Sequence, residues 1–519
     1  MENITNNFIT NFIKEDLKIN TQSLITRFPP EPNGHLHIGH AKSIILNGEL
    51  AKYFGGKFNL RFDDTNPAKE SVEFVNSIIE DVNWLGYDYE ERLFYASNYF
   101  ETFYECALNL IKKDLAFVCD LTSDEVHEYR GTFTEVGKES PYRNRSVEEN
   151  LDLFIKMREG LFSDGEKTLR AKIDMKSPNI VLRDPVIYRI ARNHHHNTGD
   201  EWCIYPMYDF AHPLEDAIEN ITHSLCSLEF ENNRPLYNWF IENAWIGTSK
   251  PRQIEFGKLS ITKSILGKRH LNKLVEEGEV KGFDDPRLLT IKGLRRRGYT
   301  PEIIKAFVNE VGISKADGTV EISLLENFAR NILKEQTESL MAVIDPLKVV
   351  ITNYYGEEEI ELDGRKIKFT KEVYVERDDF MEEPIKGFFR LSKGAEARLK
   401  GAYAITVTDV IKDTEGNIIE LHATYDKETK SGSGFNARKI KGVLHWVSVD
   451  YAVSKNVNLF DYLINEEGNI NKNSWITKEA LVESYILEAG ERVQFMRHGY
   501  FYKNKEELNL IVSLKSSFK

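Results

Sequence analysis

The chain has 519 residues, of which 41% are hydrophobic and 29% are charged. These are ordinary values for globular proteins, and the length predicts about three or four domains. No apolar run approaches the roughly 20 residues that a membrane-spanning helix needs. We therefore expect a soluble multidomain protein with no membrane partner.

The amino terminus is polar and acidic and has the pattern of neither a signal peptide nor a transit peptide, so we expect a cytoplasmic location. The four cysteines contain no CxxC pair: Cys106, Cys119, Cys203 and Cys226. This spacing argues against a zinc knuckle and a disulfide framework, and it is typical of a reducing compartment.

The net charge of −14 weighs against RNA binding, because neutralising phosphates requires a basic surface. Charge is unevenly distributed, however, and residues 259–315 contain twelve basic and seven acidic side chains. The triplet Arg295–Arg297 in this segment suits a patch that faces phosphates, and it equally suits a solvated helix face.

The first elements predict an open α/β sheet. Residues 23–28 predict a short strand that the Pro/Gly/Asn cluster at 29–34 ends, and residues 38–56 have helical periodicity closed by a Gly-Gly pair. Residues 57–62 predict a second strand, which leads into the acidic pair 63–64. Strand, helix and strand form a parallel unit whose ligands bind at the carboxyl ends of the strands.

The remaining chain changes character twice. Helices are predicted at 70–86 and 99–115, and residues 120–205 mix helix with short strands, which indicates an inserted α/β module. Helical patterning dominates 267–338. After Asp345-Pro346, alternating strands and Gly/Asn/Asp turns predict β-barrels. The strands predicted in these regions are 168–175, 180–182, 347–354, 366–375, 402–411 and 418–425.

Two histidines, His37 and His40, stand where the first predicted strand turns into the first helix. Their spacing places both imidazoles on one face of the opening turn, beside unpaired amides and the positive end of the helix dipole. The arrangement suits a phosphate, whose oxygens gain charge during displacement. It also suits a structural pair or part of a metal site. The chain lacks GxxxxGK[ST], which disfavours a P-loop kinase or GTPase.

The segment TRFPPEPNGHLHIGHAKS, residues 26–43, resembles the signature of class I aminoacyl-tRNA synthetases, in the wording of the glutamine and glutamate group. The resemblance is strong up to residue 346 and looser beyond it. Blocks similar in order and spacing are RFDDTNP (61–67), YRGT (129–132), LRAKIDM (169–175), CIYPMYDFAHPLEDAIENITHSLCSLEF (203–230), DDPRLLTIKGLRRRGYT (284–300) and MAVIDP (341–346).

The resemblance implies an α/β fold class. It consists of a class I synthetase Rossmann-like catalytic domain with an inserted acceptor-binding α/β module, a helical subdomain and carboxyl-terminal β-barrels. The expected limits are 1–98 and 208–258 for the catalytic domain, 99–207 for the inserted acceptor-stem-binding module, 259–338 for the helical subdomain with a KMSKS-like loop, and 339–519 for the anticodon-binding β-barrels.

The resemblance also implies an ATP-dependent ligase of translation. Glutamine would attack the α-phosphorus of ATP to give glutaminyl-AMP and pyrophosphate, and the 2′-hydroxyl of the terminal adenosine of tRNA(Gln) would then take the glutaminyl group. The implied cofactor is ATP with the Mg²⁺ that the nucleotide carries, without protein-bound zinc. The implied partners are tRNA(Gln), ATP and L-glutamine, and bound tRNA is expected to be needed for the first step. We expect a monomer.

Motif matching carries site residues over to this chain. The implied catalytic residues are His37, His40 and Lys268, which would stabilise the pentavalent phosphorus. The implied ATP-binding residues are Glu31, Pro32, Asn33, His37, Ile38, Gly39, His40, Ala41, Lys42, Ser43, Ser227, Lys258, Leu259, Leu266, Gly267, Lys268 and Arg269.

The KMSKS-like loop departs from the family pattern at Gly267, where serine is usual. Lys258 stands where relatives often have arginine, so one ammonium replaces a bidentate fork. Neither change removes charge, which favours activity, and we expect a raised requirement for ATP.

The implied glutamine-binding residues are Arg27, Asp63, Tyr208, His212 and Cys226. Asp63 and Tyr208 match residues that orient the side-chain amide. Related glutamate enzymes tend to have arginine where this chain has Cys226. A neutral thiol would leave a γ-carboxylate unpaired, which favours the neutral amide. Cys226 also suits a small buried core residue.

The implied tRNA-binding residues are Asn232, Arg390, Arg398, Lys400 and Gln494. Asn232 stands where relatives often have an aspartate that contacts an acceptor base pair. Ser339 replaces an arginine common at the anticodon end. Contacts to phosphate and to base cannot be separated from sequence.

The triplet His194–His196 invites a metal interpretation. Three adjacent side chains cannot all point at one ion, and no cysteine or acid cluster accompanies them in sequence, so we predict a loop. Two alternatives for the whole chain stay open. One is a glutamate-charging or non-discriminating synthetase, and the other is a non-catalytic RNA-binding paralogue, which only the altered loop suggests.

Overall fold

The structure is a computed structural model that describes residues 1–19, 22–68 and 70–514. The amino-terminal elements are α1 (Glu2–Thr5), α2 (Phe8–Ile19), β1 (Ile25–Phe28), α3 (Ile38–Tyr53), β2 (Lys57–Phe62), α4 (Val72–Trp84) and β3 (Leu93–Tyr95). The strands β1, β2 and β3 pair in parallel in that order. The predicted strand–helix–strand unit is therefore confirmed, with α3 as its crossover helix.

The Gly-Gly pair ends α3 for two separate physical reasons. Gly55 has φ +62°, in the left-handed region that favours glycine, and its N–H donates to the carbonyl of Lys52. A Cβ on Gly56 would lie 2.1 Å from the carbonyl oxygen of Leu24. The pair thus reverses the chain tightly enough for β2 to pair with β1.

An inserted module follows, with its own hydrophobic core around Phe103, Phe154 and Tyr188. Its elements are α5 (Phe100–Lys112), β4 (Ala116–Cys119), α6 (Ser123–Arg130), α7 (Val147–Arg158), β5 (Thr168–Ala171), β6 (Val186–Ile190) and β7 (Ile204–Pro206). The strands form an antiparallel sheet in the order β4-β5-β6-β7. An α/β module is thus present where the sequence predicted it.

The chain then returns to the first sheet through α8 (Tyr208–Ile218), β8 (His223–Ser227), α9 (Arg234–Asn243) and β9 (Arg252–Phe256). β8 and β9 pair in parallel. Thr222, just before β8, accepts from the backbone N–H of Ile25 at 3.0 Å, so β8 lies beside β1. The carboxyl ends of these two strands consequently open on the same edge.

The predicted helical region consists of β10 (Leu259–Ile261), α10 (Lys268–Glu276), α11 (Ile291–Arg297), α12 (Pro301–Val311), β11 (Gly318–Val320) and α13 (Ile322–Gln336). β10 and β11 form a short parallel pair. None of the helices in the described parts of the chain has both the length and the hydropathy of a bilayer-spanning segment.

Two barrel-like sheets of seven strands follow. Their strands and an added hairpin are β12 (Glu338–Leu340), β13 (Ala342–Val343), β14 (Pro346–Ile351), β15 (Glu358–Leu362), β16 (Arg365–Phe369), β17 (Glu372–Glu376), β18 (Glu396–Leu399), β19 (Ala404–Lys412), β20 (Ile418–Asp426), β21 (Val443–Leu444), β22 (Val447–Ser448), β23 (Val453–Phe460), β24 (Trp475–Val482), β25 (Arg492–Phe495), β26 (Gly499–Asn504) and β27 (Glu507–Ser513). The orders are β21-β18-β19-β20-β14-β17-β22 and β12-β25-β26-β27-β23-β24-β13.

The second barrel-like sheet packs against the first half of the chain. Ile511 and Val512 of β27 belong to the same hydrophobic cluster as α3 and the helices α11 to α13. The connection between β23 and β24 places Leu463 against Leu271 and Leu274 of α10. The helical region is therefore sandwiched between the parallel sheet and the last strands.

Three predicted strands differ from the structure. Residues 180–182 form a 3₁₀ turn, because the side chain of Asn179 accepts from the N–H of Val181 and closes a local turn. The predicted strand 366–375 is two strands, β16 and β17, and the strand predicted at 168–175 ends at Ala171.

Candidate active site

A cavity of about 590 Å³ lies at the carboxyl ends of β1 and β8, beside the first turn of α3. Ligands of open α/β sheets bind at this edge. The predicted ATP- and glutamine-binding residues that line it are Arg27, Glu31, His37, Gly39, His40, Lys42, Ser43, Tyr208, His212, Cys226, Ser227, Lys258, Leu259, Leu266 and Gly267. The fold thus brings most of the predicted site together in one cavity.

Helix capping fixes the hydrogen-bonding state of both signature histidines. His37 is the N-cap of α3, and its Nδ1 accepts from the N–H of Gly39 at 3.0 Å. Nδ1 of His40 accepts from the N–H of His37 at 3.1 Å. Because each Nδ1 is an acceptor, each neutral ring carries its proton on Nε2. Two Nε2–H donors, on rings 3.9 Å apart between centroids, therefore stand at the helix start.

Burial keeps these imidazoles neutral. It lowers the pKa of His37 to about 2, with a further contribution from His40, and it lowers the pKa of His40 to about 4. Near neutral pH the site therefore offers hydrogen bonds and helix-terminal amides without a histidine charge. Such donors suit phosphate oxygens that gain negative charge during a displacement.

Lys268 lies in an adjoining recess of about 320 Å³, which shares His37, His40 and Gly267 with the main cavity. A Cβ on Gly34 would lie 2.9 Å from Cε of Lys268, so the glycine makes room for the lysine side chain. The predicted lysine is thus next to the signature turn.

The start of α10 favours an anion. Gly267 is its N-cap and provides no side-chain cap, and the first turn has no acidic residue but begins with Lys268 and Arg269. Cations at a helix N-terminus are unfavourable, because the helix dipole is positive there. A phosphate bound at this point would neutralise the positive charge and accept hydrogen bonds from the uncapped amides. The departure at Gly267 therefore removes a cap without closing the site.

Glu229 links two predicted nucleotide-binding residues. One of its oxygens accepts from Lys258 Nζ at 2.5 Å and the other from Ser227 Oγ at 2.8 Å. On the opposite wall, Lys42 donates to the carbonyl of Gly257 at 3.0 Å, and burial lowers its pKa to about 8. Both lysines are held by groups of the protein within the cavity wall.

Buried charge lies behind the other end of the cavity, where Arg27 is fully buried. Its Nε donates to Asp216 at 2.9 Å, and Nη2 donates to Ser224 Oγ at 2.8 Å. Nη2 also lies 3.1 Å from His212 Nε2. Burial acts against the charge of His212, but Asp216 and a hydrogen bond with Asp63 outweigh it and raise the pKa to about 9. Asp216 is therefore the shared ion-pair partner of Arg27 and His212.

Arg61 joins the same network from β2. It forms ion pairs of 2.8 Å with Asp63, Glu215 and Asp216, and one of 3.5 Å with Glu219. Burial raises the pKa of Glu215 well above its usual range and that of Glu219 to about 7. The pKa of Asp63 stays below its usual value because Arg61 outweighs the effect of burial. The network thus contains ionised and protonated acids side by side.

Cys226 faces this network, which corrects one premise of the sequence argument. Its Sγ lies 3.8 Å from both Arg27 Nη2 and His212 Nε2, so its surroundings are not free of positive charge. Both cations are already paired with Asp216, at 2.9 Å and 3.6 Å. Tyr208 stacks on His212 with centroids 5.1 Å apart and closes the slot.

Several predicted residues do not line the main cavity. Ile38 and Ala41 are fully buried in the hydrophobic core. Asp63 is buried next to the cavity and reaches it through His212, 3.8 Å away. Pro32 and Arg269 line neither of the two recesses, and Asn33 lines the smaller one with Lys268.

The histidine triplet is a loop of the inserted module, as predicted, but acids do accompany it. His196 Nε2 lies 2.9 Å from Asp64 Oδ2, and His195 Nε2 lies 3.6 Å from Glu70. His195 Nε2 is also 2.8 Å from the carbonyl of Asp64, while its Nδ1 accepts from two backbone amides. That geometry requires a proton on Nε2, so His195 is a hydrogen-bond donor here rather than a metal ligand. The loop fastens the inserted module to the end of β2.

The predicted tRNA contacts fall into two groups. Asn232 lies on the 3₁₀ segment after β8, where its carbonyl accepts from Asn179 at 2.8 Å. Arg390 is partly exposed, and Lys400 Nζ lies 3.3 Å from Met496 Sδ, near Gln494, so the two barrel-like sheets meet here. Arg398 differs, since its guanidinium donates to the carbonyls of Ala402 and Thr429, which lie in turns next to the strands β19 and β20 of the same sheet.

Sequence reasoning missed Glu229, Phe256 and three of the acids that pair with Arg27 and Arg61, namely Glu215, Asp216 and Glu219, whereas Asp63 was predicted. Asp216 was detectable in principle, because it follows His212 by one helical turn. Glu229 was not, since an acid runs against the positive charge expected in a cavity that is predicted to bind phosphate.

The chain matches three family models. The tRNA synthetases class I (E and Q) catalytic domain matches residues 23–335, and the anti-codon binding domains of the same group match residues 340–426 and 443–504. The chain therefore belongs to the class I tRNA synthetases of the E and Q group. The predicted class I architecture with carboxyl-terminal β-barrels is confirmed, whereas the finer domain limits stay a prediction.

Curated relatives extend over the whole chain. The glutamine–tRNA ligase of Clostridium perfringens is 56% identical, covering 99% of each chain, and that of Clostridioides difficile is 55% identical, covering 100% of each. The glutamine–tRNA ligase of Nitrosomonas europaea is 50% identical, covering 99% of this chain and 98% of its own.

Solved structures that resemble the fold include a glutamate tRNA ligase from Elizabethkingia meningosepticum. It is 19% identical, with a TM-score of 0.45, and the match covers 60% of this chain and 70% of that one.

Proposed function

We propose that this chain charges tRNA(Gln) with glutamine in two steps, through glutaminyl-AMP, with release of pyrophosphate and AMP. The supporting observation is one cavity that joins two neutral imidazole donors at a helix start to a slot backed by a compensated ion network. Full-length relatives named glutamine–tRNA ligase support the same reaction. The alternative of a non-catalytic RNA-binding paralogue has no support in this geometry.

The activation step needs no protein nucleophile. His37 and His40 donate from Nε2 to the α-phosphate as the glutamine carboxylate attacks, and Lys268 balances the charge that develops on pyrophosphate. Mg²⁺ carried by ATP supplies further charge neutralisation when bound. Neutral imidazoles suit this role because they donate hydrogen bonds without first having to gain a proton.

Glutamine is preferred over glutamate because the cations next to Cys226 are already paired. A γ-carboxylate entering beside Arg27 and His212 would have to compete with Asp216, which already pairs with both cations. The neighbouring cations are also the specific observation that favours the rival, a glutamate-charging or non-discriminating enzyme. Charging with both amino acids distinguishes the two.

The tRNA spans the molecule from the inserted module to the barrel-like sheets. The module that contacts Asn232 through Asn179 also presents Phe133, which is 89% exposed and suits stacking on an unpaired base. Arg390, Lys400 and Gln494 at the junction of the sheets suit anticodon contacts. The chain acts as a monomer in the cytoplasm.

The test is aminoacylation of one tRNA(Gln) transcript with radiolabelled glutamine and, separately, glutamate. We expect ATP-dependent charging with glutamine at least about 100-fold more efficient than with glutamate, as expected where a mismatched substrate leaves a buried polar group unpaired. Pyrophosphate exchange is expected only when tRNA is present. Equal charging by both amino acids would establish the rival, and charging by neither would refute a synthetase.

A further inference from the structure

Arg183 is a buried cation whose hydrogen-bond partners, in the described parts of the chain, are backbone carbonyls. It is 2% exposed, and its Nε donates to the carbonyl of Ser177 at 2.7 Å. Its Nη1 lies within 2.9 Å of three further carbonyls, those of Arg130, Thr132 and Glu135. A charged group that binds three carbonyls within six residues of chain fixes the path of that loop.

The loop from 130 to 137 presents apolar side chains to solvent. Phe133 is 89% exposed and Val136 is 63% exposed. The loop is folded on itself, since the N–H of Thr132 donates to the carbonyl of Glu135 at 3.1 Å. Its shape leaves no room for a side chain at Gly131, where a Cβ would lie 2.7 Å from that same carbonyl. Two exposed apolar side chains on one ordered loop offer a surface that a partner can cover.

The segment that carries Arg183 also touches the rim of the active site. At its other end, Asn179 Nδ2 donates to the carbonyl of Asn232 at 2.8 Å, and its Oδ1 caps the 3₁₀ turn Ile180–Leu182. Asn232 follows β8 by five residues, and Ser227 of β8 lines the cavity. One short turn therefore fixes both the Phe133 loop and the Asn232 segment.

We propose that Arg183 is a positioning residue for the acceptor end of the tRNA. It holds the loop 130–137 so that Phe133 meets an RNA base at a fixed height relative to Asn232. This role rests on the proposed function. Arg183 does not touch RNA or the reacting atoms, and it acts through the loop alone.

Arginine suits this role better than other cations. Its planar fork presents donors in two directions, toward Ser177 on one side and the loop on the other, whereas a lysine ammonium is a single point. Replacing Arg183 with methionine keeps much of the volume but removes its hydrogen bonds to four carbonyls, of which that of Glu135 keeps the N–H of Thr132 as a donor. The loop would then sample other paths while the rest of the module keeps its core.

The experiment uses the full-length chain with Arg183→Met, Arg183→Lys and Phe133→Ala, and with Arg145→Met as matched control. Arg145 is an arginine of the same module that donates to the carbonyl of Val118 and to Asp120, not to the loop. The readouts are hydrogen exchange of the amides of 130–137 and steady-state aminoacylation.

We expect Arg183→Met to raise exchange in the loop at least about ten-fold and KM for tRNA about five- to twenty-fold, with kcat and the KM for ATP within about two-fold. Phe133→Ala is expected to raise KM for tRNA similarly without faster exchange. The double variant with Arg183→Met and Phe133→Ala should have a KM for tRNA no higher than the single variants, because both changes remove the same contact of Phe133 with the RNA base. Arg183→Lys is expected to restore part of the effect.

Two outcomes overturn the proposal: loop exchange in Arg183→Met no faster than in Arg145→Met, or additive effects of Arg183→Met and Phe133→Ala on KM for tRNA. If the unmodified chain fails to charge tRNA, the proposed function fails instead. The hydrogen-exchange comparison then still tests whether Arg183 fixes the path of the loop 130–137. If Arg183→Met does not fold, Arg183→Lys decides by the same two readouts.

Discussion

The two ends of the active-site cavity present polar groups in opposite ways. At the end proposed to bind phosphate, the donors at the helix start are neutral imidazoles, with Nδ1 of His37 and His40 already engaged in capping. At the end proposed to bind the amino acid, the groups are buried ions, Arg27 and Arg61, which form ion pairs with the surrounding carboxylates. Burying a neutral hydrogen-bonded donor costs little free energy, whereas removing one partner of a buried ion pair leaves an unpaired charge that destabilises the fold. We therefore expect stability to depend on the charged end and turnover on the neutral end.

The largest effect is expected from Arg61→Met. It would leave the carboxylates of Asp63 and Asp216 without a shared partner, and breaking a buried ion pair costs about 3–5 kcal/mol. Urea unfolding measures the loss. The matched control is Lys156→Met, which removes an exposed pair with Asp152 and should cost under about 1 kcal/mol. Equal losses in both variants would remove the distinction between the two ends.

Removal of a neutral donor is expected to affect turnover. His40→Ala deletes an Nε2–H at the phosphate end, and loss of one such donor lowers kcat by about 10²–10³-fold. Aminoacylation and tRNA-dependent pyrophosphate exchange measure it, with His422→Ala on the first barrel-like sheet as control. A loss of less than about three-fold would show that His40 only caps the helix.

A pH-dependent effect is expected from Glu219→Gln. Burial raises the pKa of Glu219 from 4.5 to about 7, so the unfolded chain releases this proton at lower pH than the folded one. The contribution of Glu219 to the free energy of unfolding therefore decreases as pH rises from about 4.5 to about 7, and it is constant above pH 7. We expect the glutamine variant to match the parent at pH 4 and to be more stable at pH 8 by on the order of 1–3 kcal/mol. A stability difference that does not change with pH would contradict this assignment.

The smallest effect is expected from Gly267→Ser. A serine N-cap on α10 is favoured over glycine by only a few tenths of a kcal/mol, and its Cβ would meet only His270 Nδ1, at 3.2 Å. We expect KM for ATP to fall about two-fold with unchanged kcat, measured by steady-state kinetics. An unchanged KM would show that the departure from the family pattern has no cost.

The neutral end of the cavity was largely predictable from sequence, because its parts are contiguous. A strand, a Pro/Gly turn, two histidines and a helix lie within residues 25–53, and local rules specify both the capping and the helix start. The charged end was not, since Arg27, Arg61 and Asp216 are far apart in the chain and meet only when the sheet forms. The same limit hid the acids beside His195 and His196.

The misassigned strand has a local cause. Ile180-Val181-Leu182 is apolar and its first two residues are β-branched, which predicts a strand, but three residues are too few to outweigh a capping asparagine. The structural importance of this turn lies in its flanking residues, Asn179 and Arg183, whose partners are distant carbonyls. Hydrogen bonds of that kind leave no periodic signal.

The position of β27 has a consequence for synthesis on the ribosome. Ile511 and Val512 fill the same apolar cluster as α3, so the amino-terminal half cannot complete its interior until more than 500 residues have been translated. At about 5–20 residues per second this interval is roughly 25–100 s. Throughout this interval, the apolar surface that β27 covers in the folded protein stays without its partner strand.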